Sequence, residues 1–289
     1  MQLSLGTDRQ VHREPRGQSW LRQYRFDLLW GSIVVGLVLA AFIVPHLLLR
    51  WLVPVVNQTP AFYGILAQTA PLLGQWLPHA SWATPVAVLI AAAVVGWGPS
   101  LARSLPWPCL VGGVWLVSTA WAMALALIDG WRRGFVSRMG SHEQYLSMVP
   151  RVHSVSGLLH GFAAHIPAGR PGSWDTDVAG HPVGALLTFV GLDRIGFGGP
   201  VWAGMFCVVV GSSSAAAVLI TLKALDGEGT ARLVAPFVAL APVAIWIAVS
   251  ADAYYAGVAA WGLTLLALAA TGTTRLTGWI SVAAGALLG

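Results

Sequence analysis

The chain has 289 residues, 56% of them hydrophobic and only 9% charged, with a mean hydropathy of +0.71. A soluble domain carries about a quarter charged residues, so a water-soluble globule, a disordered tail and a coiled coil are excluded, and the composition fits packed helices in a bilayer. Sixteen basic side chains against eleven acidic ones give a formal charge of +5, but the excess sits beside apolar runs and marks topology; no nucleic-acid partner is expected.

Residues 1–27 form a basic amino terminus carrying Arg9, Arg13, Arg16, Arg22 and Arg25, which the positive-inside rule places in the cytoplasm of a cell whose plasma membrane the chain crosses. The apolar run 28–50 is too long for a cleaved signal peptide and reads as a permanent span. Residues 51–84 hold four prolines and several aromatics and read as an interfacial loop. Further runs at 85–102, 109–128, 200–222, 231–249, 252–270 and 276–289 complete an all-α polytopic bundle of about seven spans. Three spans thus occupy 28–128, the segment 129–199 falls outside the cell, and the remaining spans fill 200–289. The last run has about 14 residues, short of a full crossing, and the chain is expected to be a truncated product. Cys109 and Cys207 lie inside apolar runs, which suits packing and not a disulfide framework.

The 129–199 segment concentrates the chemistry: five of the eight histidines, five of the eleven acids, and Arg132, Arg133, Arg138, Arg151, Arg170 and Arg194. Arginine in excess on the side that the positive-inside rule disfavours suggests an anionic ligand. The apolar spacing predicts an amphipathic helix over 152–166 and a second short helix over 183–195, both lying at the interface. Asp129, ending the third span, is a candidate general base or, equally, a helix-end acid solvated among headgroups. Glu143 is a second candidate base or a first-turn acid favoured by the helix dipole. Asp175, Asp177 and His181 bring acid and imidazole to one Gly-flanked loop that can bind phosphate or a divalent metal, although their spacing is no metal signature and assigns no metal ligand. Asp252, beside Tyr254 and Tyr255, falls at an outside edge where it joins the site or caps a helix. His153 and His160 read as polar residues facing headgroups. No GxxxxGK[ST], GxSxG or HExxH motif is present, so nucleotide hydrolysis, serine esterase and zincin chemistry have no support. The small-residue run Gly211 to Ala217 reads as close helix packing. Span interiors are almost free of ionisable groups, which disfavours a transporter; the alternatives to an active enzyme are a non-enzymatic membrane protein, either a lipid-binding assembly partner or a transporter-like subunit, and an inactive truncated relative.

A span ending in an acid, a large outside loop with two interface helices, and a His-Pro element before the second together resemble the GT-C superfamily of polyprenyl-phosphate-sugar-dependent glycosyltransferases. More narrowly, ALIDG at Asp129, HEQYLSMVPRV with Glu143 and Tyr145, AGHPVGALLTFVGLDRIGFGGP from His181 onward, and APFVALAPVAIWIAVSADAYYAGVAAWG resemble actinobacterial membrane proteins of that type, over roughly residues 109–275. The resemblance implies inverting transfer of a sugar from a polyprenyl-phosphate donor to a glycan or lipid acceptor on the extracytoplasmic face. It implies Asp129 and Glu143 as catalytic acids. It further implies that arginine and histidine near the interface hold the donor phosphate, with His181 at the family's His-Pro position; together with the reading of the residues themselves, this makes Arg132, Arg133, Tyr145, Arg151, Asp177, His181 and Asp252 the candidate substrate-binding residues. Val183 stands where the family commonly has a second proline. The family also carries additional spans beyond the point where this chain ends, whereas this chain has two extra spans ahead of the core.

Overall fold

The structure, a computed structural model, describes residues 25–40 except 27 and 38, 79–140, 145–272 except 168 and 170, and 277–288. The chain divides into two compact units, Met1–Pro78 and His79–Gly289. In the first, Leu28–Leu37 is an apolar helix, α1; the rest of the expected 28–50 span beyond residue 40, and the interfacial loop as far as 78, lie outside the described residues.

Among the described residues of the second unit every regular element is a helix, as backbone surrounded by hydrocarbon requires. In chain order the principal helices are α2 (Ala83–Ser104), α3 (Trp107–Ile128), α4 (Val155–Gly161), α5 (Val183–Arg194), α6 (Pro200–Ser212), α7 (Ser214–Leu225), α8 (Glu228–Ala239), α9 (Ala251–Ala270) and α10 (Thr277–Leu288). Four stretches, α2, α3, the joined run Pro200–Leu225 and α9, are long and apolar enough to cross a bilayer, the pattern of a multi-pass membrane protein. Their outward faces carry large apolar side chains such as Leu89, 68% exposed, and Val95, 72% exposed. Water would not tolerate such a surface; lipid does.

Local chemistry sets the breaks. At the start of α2 the Ser81 N–H donates to Thr84 Oγ1 at 3.0 Å and the Ala83 N–H to Ser81 Oγ at 3.2 Å, which satisfies donors that a helix start leaves orphaned. Leu105 is forced extended (φ −68°, ψ 143°) by the proline after it, so α2 turns straight into α3. Gly199 at φ +86° followed by Pro200 starts α6, and Gly227 at φ +99° separates α7 from α8.

One expected span is corrected. The 231–249 run is not a single helix: α8 stops at Ala239, and only Ala244–Ile247 is helical again before α9. Pro242 disfavours helical backbone at Ala241 and supplies no N–H of its own. In the break the Ala241 carbonyl accepts from the Ala244 N–H at 3.2 Å and from Trp121 Nε1 at 3.4 Å.

The bundle closes on small residues. A Cβ at Gly211 would stand 2.8 Å from the Ala253 carbonyl oxygen, so α6 meets α9 backbone to backbone. Deeper along the same pair of runs, the Thr221 and Thr264 hydroxyls lie 2.9 Å apart, and Thr264 Oγ1 donates to the Ala217 and Ala260 carbonyls. At one end of the bundle Arg232 of α8 donates to the Ala102 and Leu105 carbonyls at 2.6 and 2.9 Å and pairs with Glu228, which also pairs with Lys223. These contacts satisfy carbonyls that the end of α2 leaves open.

The other end carries the 129–199 segment, and here too the structure modifies the expectation. The segment is a small packed cap in which Phe135, Met139, Tyr145, Leu186 and Phe189 are almost wholly buried, with Ala203, Cys207 and Val249 of the bundle in the same core. The helix expected over 152–166 is shorter, α4 followed by a 3-10 turn at Phe162–His165. Ser154 caps it by accepting from the Gly157 N–H, and the glycines at 157 and 161 lower the helix propensity of the segment. α5 runs Val183–Arg194, within a residue of its expected end.

Candidate functional site

Asp129 is the C-cap of α3 and precedes Gly130, whose φ of +80° reverses the chain. A π-helical turn, Trp131–Val136, then folds back over the helix end, a local geometry often found at functional positions. The return needs Gly134: a Cβ there would stand 2.9 Å from Asp129 Cβ and would overlap the Ala126 carbonyl oxygen. Trp131 stacks on Phe135 at 4.7 Å, and Phe135 is fully buried against Gly204.

The turn brings cations to the carboxylate. Asp129 Oδ1 lies 2.7 Å from His79 Nε2 and 3.5 Å from Arg133 Nη2, and Oδ2 lies 3.3 Å from Arg138 Nη2. The His79 contact is the shortest of the three. The arginine contacts are long, and both guanidinium groups are more than half exposed, so they are available to another anion. Arg132 lies exposed on the same turn. Two guanidinium groups beside one carboxylate, with Arg132 on the same turn, leave a local surplus of positive charge. His79 is not among the residues that the sequence singles out, and Arg138 appears there only as one of the six arginines of the segment. His79 is fifty positions away, with only its place beside Pro78 at the end of a proline-rich stretch as a signal.

A second group gathers Tyr145, Asp177, His181 and Tyr255. The Tyr145 hydroxyl donates to the Asp177 carbonyl at 2.9 Å, and His181 Nδ1 donates to the same carbonyl at 2.6 Å. His181 stacks on Tyr255 at 5.2 Å, Tyr145 packs on Phe189 at 5.3 Å, and Tyr254 shares a hydrogen bond of 2.9 Å with Thr188. Burial pushes the Tyr145 phenol up to about 12, helped by the Asp177 and Asp252 carboxylates and opposed by the neighbouring Tyr255 hydroxyl, so it is a neutral donor throughout the physiological range. The Tyr255 hydroxyl is itself buried and has no hydrogen-bond partner among the described residues. Asp252 is exposed in the first turn of α9, 3.5 Å from Ser250 Oγ. Asp175 accepts from Ser147 Oγ at 2.7 Å.

The sequence-predicted residues therefore fall into separate places. Asp129, Arg132 and Arg133 share one turn. Tyr145, Asp177 and His181 meet beneath Tyr255, with Asp252 near enough to act on Tyr145 electrostatically. Arg151 belongs to neither group; it donates to the Ser173 carbonyl at 3.4 Å and lines a separate cleft. Glu143 lies outside the described residues. Among the described residues no group of three or more His, Cys, Asp or Glu is arranged to hold a metal ion.

In comparisons with protein families, curated proteins and solved structures, the chain matches none of them.

Proposed function

We propose that the chain is an inverting membrane glycosyltransferase of GT-C type that takes a sugar from a polyprenyl-phosphate donor and delivers it to a glycan or lipid hydroxyl on the extracytoplasmic side. The observation that carries this reading is Asp129: a carboxylate at the end of a candidate span, held by His79 and faced by two exposed arginines. In this reading Asp129 takes the proton from the acceptor hydroxyl as its oxygen attacks the anomeric carbon, and the bond from that carbon to the donor phosphate breaks. The leaving group is polyprenyl phosphate. Arg132, Arg133 and Arg138 stabilise the charge that develops on its oxygens, while His79 fixes the orientation of the base. An apolar groove of about 270 Å³, walled by Val94, Trp97, Leu101, Val114 and Pro236 of α2, α3 and α8, offers a place in the spans for part of the donor's hydrocarbon tail.

The test is turnover of a radiolabelled polyprenyl-phosphate sugar by the chain in nanodiscs. Asp129→Asn is expected to lower turnover by about 10² to 10⁴, the usual worth of a general base, with donor binding kept; Glu143→Gln is expected to do less. Loss of turnover in Glu143→Gln with activity intact in Asp129→Asn would transfer the role to Glu143.

A second reading, a non-enzymatic lipid-binding assembly partner, draws on the fact that both oxygens of Asp129 already have cationic partners. It predicts donor binding without turnover under any acceptor.

A further inference from the structure

The cap contains a cleft of about 500 Å³ that shares no lining residue with the Asp129 turn or the Tyr145 group. That volume is within the range of small-molecule sites, roughly 300–1,000 Å³. Its rim and walls carry Arg151, His153, Ser154, His165 and Trp174, over a floor that includes the buried Leu158, and among the described residues no carboxylate lines it.

The walls are held in place. Arg194 donates to the Val152 and His153 carbonyls, each at 3.4 Å, which fixes the backbone that bears His153. Trp174 Nε1 donates to the Phe162 carbonyl at 3.0 Å, and the Trp174 N–H donates to the His165 carbonyl at 2.8 Å, so the two aromatic rings form one wall, 5.4 Å apart. Gly161 and Gly172 flank His165: a Cβ at either would approach the ring to 3.7 or 3.6 Å. Side chains there would narrow the cleft.

The polar atoms specify a ligand. His165 Nδ1 lies 2.8 Å from the Gly161 carbonyl and must donate to it, which in the neutral ring leaves Nε2 as an acceptor. Arg151 supplies a permanent positive charge and spare donors, since its one hydrogen bond among the described residues, to Ser173, is long. A site with a guanidinium, an acceptor nitrogen and no acid suits a molecule that presents an anion and a hydroxyl together. We propose that this cleft binds a phosphorylated polyol, its phosphate on Arg151 and a hydroxyl donating to His165 Nε2. The source is either a soluble polyol phosphate or the glycerophosphate headgroup of a lipid. The inference does not depend on the transferase reading.

The experiment is carbethoxylation of histidines, read residue by residue by mass spectrometry, on the full chain in phosphatidylcholine nanodiscs with and without glycerol 1-phosphate, and in phosphatidylglycerol nanodiscs. At ten times its dissociation constant glycerol 1-phosphate should slow labelling of His153 and His165 roughly tenfold. His160, exposed and hydrogen-bonded to the Ser156 carbonyl outside the cleft, should label at an unchanged rate and reports that the cap stays folded. Arg151→Ala should weaken protection by roughly tenfold or more and Arg151→Lys by less. Protection by the soluble ester supports a soluble ligand, and protection found only in phosphatidylglycerol supports the headgroup. Three results would each overturn the proposal: no protection in either arm, equal protection by glycerol, or full protection in the Arg151→Ala chain with His160 unaltered.

Discussion

Gly134 offers the sharpest test of how the Asp129 turn is built. Replacing it with alanine places a methyl group 2.9 Å from Asp129 Cβ and into the Ala126 carbonyl oxygen. Neither neighbour is the free end of a flexible side chain, so relief requires the π turn to open. Overpacking of this kind costs about 1–3 kcal/mol, and contact with backbone puts Gly134→Ala at the upper end, near 3 kcal/mol. Gly112 in α3, where a Cβ would meet nothing within 4 Å, is the control; there alanine should stabilise by about 0.5–1 kcal/mol through helix propensity. The assay is reversible unfolding in mixed micelles across a detergent titration, followed by circular dichroism, with the three chains side by side. A Gly134→Ala chain within about 0.5 kcal/mol of the parent, an ordinary neutral substitution, would refute this account of the turn.

Three further expectations rest on single contacts. Tyr255→Phe removes a buried hydroxyl that has no hydrogen-bond partner among the described residues and should leave stability unchanged or raise it by about 1 kcal/mol, whereas Tyr145→Phe breaks the bond to the Asp177 carbonyl and should cost about 1 kcal/mol; the same micelle titration distinguishes them, and a clearly destabilised Tyr255→Phe would mean that the hydroxyl is engaged. Lys223 and Arg232 hold the Glu228 carboxyl below its ordinary value, so its contribution is present above the ordinary glutamate range and is lost as pH falls through the lowered value. The stability difference between the parent and Glu228→Gln should therefore shrink on acidification, and a difference that is flat or grows would contradict the pairing. Gly211→Val forces a branched side chain into the Ala253 backbone and should lower the unfolding midpoint more than Gly112→Val does.

How much of this is legible in the sequence depends on whether the physics is local. The run 200–222 and the helix 183–195 are readable because apolar length and end signals such as Gly199, Pro200 and Asp193-Arg194 are written in the chain itself; their observed bounds differ by a few residues. The broken run 231–249 is also marked locally, by Pro242, but average hydrophobicity masks one proline. The cap is different. Periodicity identifies apolar faces in 152–166 and 183–195, yet it does not say what covers them: Val152, Leu158, Leu186 and Phe189 enter the cap's own core with Phe135 and Tyr145, while Val155, Leu159 and Ile166 stay exposed. Asp129 and Arg133 lie four residues apart and stand out together. His79 joins them across fifty residues, and no pattern within either stretch encodes that approach. Tyr145 and His181 lie in stretches that carry the resemblance, but their ring contacts with Tyr255 come only from the way α9 meets the cap.

The most direct test of the central claim is the affinity of the chain in nanodiscs for a polyprenyl-phosphate sugar, measured for the parent and for the double variant Arg133→Ala/Arg138→Ala, with unglycosylated polyprenol as the uncharged competitor. If the arginines around Asp129 hold the donor phosphate, the double variant should bind at least tenfold more weakly, as loss of a charge-assisted contact implies, and polyprenol should compete poorly. Equal affinity of both chains, or efficient competition by polyprenol, would place binding in the apolar groove alone and would contradict a phosphate site at Asp129.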